Sequence, residues 1–238
     1  MHTMNLNEQI KIALKEMGAD LVDFADIADL PLDMTEGLPK AVSIAVRLDP
    51  SVVSEISNGP TQRYYQEYRR VNELLGILCG QIADLLKTCG RKARAIEATA
   101  ENFDANTLSM PVQHKTIATR AGLGWIGKSA LLITEEYGPA VRLGSVLTDA
   151  ELETGEPMNT SRCSNCHKCV DCCPAQAIAG SNWTVGIPRH SIYDAFKCRQ
   201  TAKNLSRQQG INSTICGICI NACPWTQKYL SRELDASR

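Results

Sequence analysis

The sequence predicts an α+β fold in two parts: a mixed α/β domain over residues 1–155 and a small cysteine-rich domain over 156–238. Two observations carry this. In the first part the apolar residues switch between helical and extended spacing. The cysteines, moreover, are spread unevenly. Cys79 and Cys89 stand alone, whereas Cys163, Cys166, Cys169, Cys172, Cys173, Cys198, Cys216, Cys219 and Cys223 crowd the last third. The polar stretch 153–161, with Gly155 and Pro157, reads as the linker, which puts the boundary near residue 155.

Leu6, Ile10, Ala13, Leu14 and Met17 recur at helical spacing and end at Gly18, a helix stop. Residues 21–27 alternate like a strand, and 41–48 form a second candidate, stopped by Asp49 and Pro50. Pro60 opens a long helical pattern that runs to a Gly90 cap. A third strand is expected within 93–99, a helix over 114–121, and extended runs over 130–134 and 140–147. Downstream, short loops bracket the cysteines, with one helical stretch over about 191–209. That segment has too few apolar residues for an ordinary core, so bound inorganic groups would supply much of its cohesion.

The chain of 238 residues is 44% hydrophobic and 21% charged, a globular composition. Its 25 Lys and Arg against 26 Asp and Glu give a net charge of -1, so no global field draws it onto nucleic acid, although a local basic patch is compatible with this total. Polar Asn5, Asn7, Glu8 and Gln9 stand where a secretory signal needs apolar residues, and no run approaches the ~18 apolar residues of a membrane span. A cytoplasmic location is therefore expected. In that reducing setting, clustered cysteines point to metal ligation before disulfides.

Cys163, Cys166, Cys169 and Cys173 followed by Pro174 reproduce the run CxxCxxCxxxCP, and Cys216, Cys219 and Cys223 followed by Pro224 repeat its last three positions. This is the spacing of bacterial ferredoxins. A tight loop presents three thiolates to one cubane, and the cysteine before proline serves the other cluster. The second domain is thus expected to be a bacterial-ferredoxin-like domain holding two 4Fe-4S clusters. Cluster 1 takes Cys163, Cys166, Cys169 and Cys223; cluster 2 takes Cys173, Cys216 and Cys219, with Cys198 as the remaining candidate. Cys172 competes with Cys173 for the outgoing position, though the spacing and Pro174 favour Cys173. Cys79 and Cys89 are expected in the core of the first domain. Structural zinc uses paired CxxC units and not this longer run. Cys163, Cys166 and His167 also spell the CxxCH of c-type haem attachment, but the same cysteines are committed to the longer motif.

Residues 122–129 read GLGWIGKS, matching both the phosphate-loop pattern and GxGxxG. A phosphate loop needs a strand before it and a helix after it. Here the expected order is reversed, so nucleotide binding is not predicted. The loop offers close backbone approach to something flat or anionic beside Trp125 and Lys128, or else a tight turn with Trp125 packed in the core.

The segments 120–128 (RAGLGWIGK), 130–134 and 143–149, the cysteine run, Cys198 and the CPW ending at Trp225 resemble the epoxyqueuosine reductases. These are cobalamin-dependent iron-sulfur enzymes of tRNA modification, related in their cofactors to reductive dehalogenases. The resemblance is good over about 111–230 and weaker before. It implies that the first domain is corrinoid-binding-like, with Gly122, Gly124, Trp125, Ile126, Gly127, Lys128 and Ser129 lining the cobalamin site. It also implies that the clusters reduce cobalt, fed by a low-potential donor such as a ferredoxin or flavodoxin.

Two departures shape the expected function. The family's proton-donating aspartate lies in a stretch like VDSAPVLER; the matching stretch here is TLSMPVQHK, with Leu108 in its place. The chain stops at Arg238, without the family's helical-repeat region that grips tRNA. Both favour a small substrate over tRNA. His114 and Lys115 stand where the reductases carry Glu and Arg, which makes His114 a candidate catalytic proton donor. A structural histidine is the competing reading. The expected function is a cobalamin-dependent reductase of a small substrate. The alternatives are an electron carrier or activator serving a separate partner, and a divergent epoxyqueuosine reductase acting on tRNA.

Overall fold

A computed structural model describes residues 4–97 and 104–235. In chain order the elements are α1 (Leu6–Glu16), β1 (Leu21–Asp26), α2 (Leu32–Thr35), β2 (Lys40–Arg47), α3 (Pro50–Ser54), α4 (Gln62–Thr88) and β3 (Ala93–Ile96). They continue as α5 (His114–Arg120), β4 (Trp125–Ile126), β5 (Leu132–Ile133), β6 (Val141–Thr148), α6 (Lys168–Asp171), α7 (Ala195–Gln208), α8 (Ile218–Asn221) and α9 (Pro224–Asp235). The chain is mixed α and β, and no helix among the described residues is long and apolar enough to cross a membrane.

These elements fall into two compact units, neither built from one continuous segment. The first comprises Met1–Val46, Val71–Leu123 and Arg142–Met158; the second comprises Arg47–Arg70, Gly124–Val141 and Asn159–Arg238. A division at residue 155 leaves 47–70 and 124–141 on the other side of the cut.

In the first unit a four-stranded sheet runs in the order β1-β2-β6-β3. β1 and β2 are antiparallel with Leu21 opposite Ala45 and Asp26 opposite Lys40, and β3 and β6 are antiparallel with Ala93 opposite Thr148. Helix α1 begins at Asn5, whose side chain accepts from the Glu8 amide while Glu8 reaches back to the Asn5 amide. This reciprocal box satisfies two amides that the helix itself cannot. Within α4, Val71, Leu75, Leu78, Cys79, Ile82 and Leu86 are buried along one face at helical spacing. A Cβ at Gly144 of β6 would stand 2.6 Å from the Cys79 sulfur, so this glycine gives the helix room. Burial pushes the Cys79 thiol up to about 12, where it is an inert core group. Cys89 is exposed, contrary to expectation, because it follows the last turn of α4 beyond the apolar face. Segment 149–158 is strapped to its own unit, with the Gly155 amide on the Phe24 carbonyl and the Met158 amide on Thr119. It is not a free linker.

The second unit borrows its apolar core. The cysteine-bearing stretch is poor in apolar residues, and Leu48, Val53, Ile56, Tyr64, Trp125 and Ile133 from the two borrowed segments are buried. Polar ties fix them. The buried Tyr229 hydroxyl donates to the Leu48 carbonyl at 2.8 Å, Asn221 Nδ2 donates to Val53 O at 2.9 Å, and Arg47 pairs with Glu233 at 2.8 Å. Helix α9, which supplies Tyr229 and Glu233, is an element that the sequence reading placed among short loops. Its first turn lies against Gly138, where a Cβ would come within 2.5 Å of the Thr226 nitrogen. The short β4–β5 hairpin pairs Trp125 with Ile133. It closes only because position 124 has no side chain, since a Cβ there would lie 2.1 Å from the Ile133 carbonyl oxygen.

These contacts give opposite expectations for two glycines. Gly124→Ala should cost about 3 kcal/mol or more in chemical denaturation, as overpacking against backbone cannot relax. Gly80→Ala, in a helix with nothing within 4 Å of the new methyl, should stabilise by about 0.5–1 kcal/mol. A neutral Gly124→Ala would show that the hairpin is not packed as described.

Candidate metal centre

Two similar turns present the cysteines. In the first, the Cys166 amide bonds to the Cys163 carbonyl, α6 carries Cys169, and Cys173 precedes Pro174. In the second, Gly217 at φ 91 opens α8, which carries Cys219, and Cys223 precedes Pro224. A side chain at Gly217 would strike Ile56 at 2.6 Å, so the glycine is needed both for the turn and for close packing. α6 and α8 pack against each other, which brings the two motifs together in space.

Cys163, Cys166, Cys169 and Cys223 line one cavity of about 430 Å³, counting the space open to solvent. This is the quartet expected for cluster 1, with the cysteine before Pro224 joining three from the first run. Burial, then the charges of Cys163, Cys223 and Cys166, push the Cys169 thiol up to about 12. Burial pushes Cys223 up to about 11, opposed by the amides of Trp225 and Thr226 at the start of α9.

The remaining expected ligands also meet. Burial raises Cys219 well above the ordinary thiol value, followed by its neighbours Cys216, Cys198, Cys169 and Cys173. Cys216 is raised by burial and then, against the Ile218 amide, by Cys198 and Cys173. Cys198, delivered by α7, is raised by burial and opposed by a hydrogen bond with Tyr193. The Tyr193 hydroxyl is itself pushed up by burial and by Cys198, so it stays protonated and donates to the sulfur. Motif spacing gives no signal for Tyr193. Cys172 turns elsewhere: its thiol bonds to the Cys169 carbonyl at 3.6 Å.

Each quartet suits one cubane, which offers a separate iron to every thiolate and draws the protons off them. Among the described residues no three His, Cys, Asp or Glu side chains are placed for a single metal ion.

The glycine loop does not act as a phosphate loop, because α5 precedes it and the β4–β5 hairpin follows. Gly122, at φ 76, ends α5 under the Glu156 carbonyl, and the space beside Gly124 and Gly127 is taken by Ile133. These glycines serve the chain's own packing. Trp125 is fully buried, its ring 5.3 Å from Trp225 in edge-on contact. Ile126, Lys128 and Ser129 are also buried, and Lys128 and Ser129 stand on the wall of the first thiol cavity.

In the first unit, His114 opens α5 with both ring nitrogens engaged: Nδ1 lies 2.9 Å from Ser145 Oγ and Nε2 lies 2.9 Å from the Glu97 carbonyl. A carbonyl only accepts, so Nε2 carries the proton and Nδ1 accepts from the serine. Leu108 sits in a tight turn at φ 51, its amide on the Asp104 carbonyl at 2.7 Å. Asp104 in the same turn accepts from the Asn106 amide and the Thr107 hydroxyl. These bonds hold its carboxyl below the usual range.

Residues 162–226 match the family described as the 4Fe-4S double cluster binding domain. Over 124 residues the chain is 35% identical to an epoxyqueuosine reductase from Synechocystis, covering 50% of this chain and 41% of that one. Over 204 residues it is 28% identical to an epoxyqueuosine reductase from Pseudomonas aeruginosa, covering 83% of this chain and 54% of that one. The chain is thus similar to epoxyqueuosine reductases. It spans about half the length, or less, of these curated relatives. Solved structures show the shared fold. The catabolic reductive dehalogenase NpRdhA matches at TM-score 0.72 and 20% identity, over 92% of this chain and 32% of that one. The epoxyqueuosine reductase from Streptococcus thermophilus matches at TM-score 0.58 and 19% identity, over 94% of this chain and 67% of that one.

Two outcomes are expected for this chain. After anaerobic reconstitution, Cys172→Ala should keep about eight irons per chain, while Cys173→Ala and Cys198→Ala fall toward about four, as one cubane is lost. Retention of full iron by Cys198→Ala would assign the last ligand elsewhere. The second concerns pH. Burial lowers the His114 pKa, the Glu97 bond opposes this, and the Arg142 charge lowers it further. The folded chain then takes up this proton less readily than the unfolded chain, so stability falls as pH drops below the unfolded value near ~6.5. The urea midpoint should therefore fall more between pH 7 and 5 in the native chain than in His114→Gln; parallel falls would contradict it.

Proposed function

We propose that this chain is an iron-sulfur reductase of the epoxyqueuosine reductase kind, in which two 4Fe-4S clusters pass low-potential electrons to a corrinoid that reduces epoxyqueuosine in tRNA. The observation that carries the reading is the double quartet of thiols within a chain similar, over half its length, to proteins of that name. Cys163, Cys166, Cys169 and Cys223 would hold one cluster, and Cys173, Cys198, Cys216 and Cys219 the other.

The corrinoid is supported by likeness, since one matching reductive dehalogenase structure, at TM-score 0.69 and 21% identity, concerns B12-dependent dehalogenation. When bound, a corrinoid supplies low-valent cobalt, a strong two-electron nucleophile or reductant. The loop expected to line it is mostly buried, so its contact with a corrinoid would fall to the partly exposed Gly122 and Leu123. The chain's own residues do the rest. Partly buried thiols would hold the clusters, and the α9 amides and Tyr193 bond to two of the sulfurs. Lys168 and Lys228 line an open depression next in sequence to Cys169 and near Cys223, a cationic face suited to an acidic electron donor.

We prefer a tRNA substrate to the small unknown substrate that Leu108 favours. One similar solved structure, at TM-score 0.60 and 21% identity, is an epoxyqueuosine reductase with an epoxyqueuosine-modified tRNA stem loop. A net charge of -1 also says nothing about local patches such as the one at Lys168 and Lys228.

The test is to load the protein anaerobically with iron, sulfide and cobalamin, supply a low-potential reductant, and follow an epoxyqueuosine-modified stem loop by mass spectrometry. Loss of one oxygen from the modified base, abolished in Cys163→Ala, is expected. A second reading is favoured by Leu108, which cannot give a proton as the family's aspartate does. It predicts corrinoid binding and cluster reduction without turnover of the stem loop, which would leave a different, smaller substrate. Failure to bind cobalamin at all would remove both.

A further inference from the structure

We propose that Lys128 is a built-in counter-charge for the cluster held by Cys163, Cys166, Cys169 and Cys223, and raises that cluster's reduction potential. The inference rests on the two-cluster reading. Lys128 is only 2% exposed, yet it belongs to the wall of the cavity that the four thiols line. Among the described residues no carboxylate belongs to that wall. Its other cation, Arg162, is about half exposed and paired with Glu135, so solvent and the carboxylate largely offset it. Lys128 is therefore the cation best placed to act in a medium of low dielectric.

The position follows from the local fold. The β4–β5 turn runs from Gly127, whose amide bonds to the Leu131 carbonyl, to Ala130 at φ 58. Gly127 is tight against this site, since a Cβ there would lie 3.5 Å from the Cys163 sulfur. The next residue is thus delivered to the thiols by the hairpin itself, and burying a lysine there is costly unless a negative group faces it. A cubane with four thiolates is such a group. One electron from the donor converts one ferric iron to ferrous and makes the cluster more negative by one charge, so a nearby ammonium favours the reduced state. Lys128 acts through the cluster, as a positioning charge and not as a catalytic residue.

The experiment is a spectroelectrochemical titration of reconstituted protein, read by visible absorption and by the electron paramagnetic resonance of the reduced clusters. In Lys128→Met, which keeps the stem of the side chain, the reduced-to-oxidised ratio of one cluster at fixed potential should fall at least tenfold, or 59 mV for a one-electron couple. The other cluster should move much less, and Lys128→Arg should stay near the native value. Equal potentials in the native and Met proteins, with full iron in both, would overturn the proposal. If Met loses iron, Lys128→Gln is titrated instead. Loss of iron in Met, Gln and Arg variants alike would also overturn it, by showing a packing role, whereas iron kept only by Arg would support the need for a cation. Iron content reports separately on the two-cluster reading: native protein with far fewer than about eight irons would sink that reading first.

Discussion

Cys169 stands beside Cys163, Cys223 and Cys166, and Cys219 beside Cys216, Cys198 and Cys173, so charge on these neighbours makes the partly buried Cys169 and Cys219 thiols harder to ionise. Without a positive partner the raised thiols of Cys169, Cys198, Cys216, Cys219 and Cys223 would remain protonated, and eight polar sulfurs would fill space that an apolar core would otherwise occupy. Iron reverses both effects, since each thiolate gains a cation and each quartet gains a centre to pack around. The rest of the second unit follows from this dependence. The amides of Trp225 and Thr226 on Cys223 and the hydroxyl of Tyr193 on Cys198 further spread the thiolate charge. Such bonds to sulfur are among the known controls of cluster potential.

Iron cannot supply the whole cohesion, and the chain solves this by topology. Segments 47–70 and 124–141 lie far from the cysteines in sequence, yet they contribute Ile56, Tyr64, Trp125 and Ile133 to the same unit. Tyr229, Asn221 and Glu233 tie the cysteine-bearing stretch to Leu48, Val53 and Arg47. Each tie to a backbone carbonyl satisfies a group that would be costly to bury alone.

This explains what was readable from the sequence and what was not. The first part's strands and long helix were legible because period-two and period-3.6 patterns are local. The quartet of Cys163, Cys166, Cys169 and Cys223 was legible because the ferredoxin spacing encodes a loop wrapped on a cubane. Cys198 came only by elimination, as α7 brings it in from outside either motif. Apolar periodicity says which face of a segment is buried but not against what, so the allegiance of 47–70 and 124–141 was invisible. The glycine loop shows a related limit. Gly124 and Gly127 make room for Ile133, and a one-dimensional motif cannot tell a glycine that admits a ligand from one that admits its own chain. Helix α9 has Pro224 at its first position and buried Tyr229 and Leu230, but its start coincides with the end of a cysteine motif that drew the reading.

Leu108 poses the remaining chemical question in physical form. At φ 51 it occupies backbone space where an L side chain costs roughly 1–2 kcal/mol, and where Asp or Asn are the residues best tolerated. An aspartate, as the resembling enzymes carry, would suit the turn better on backbone grounds alone. Leucine is thus there at some cost to the turn. His114 does not replace the missing acid in the conformation seen, because its one proton is committed to the Glu97 carbonyl and its other nitrogen to Ser145. Asp104, hydrogen-bonded and held ionised, is a poor acid as well. Among these three residues none is poised to give up a proton. On the proposed reading, a proton for the reduction would have to come from a group other than these three, so the acid step is where Leu108 bears on the chemistry.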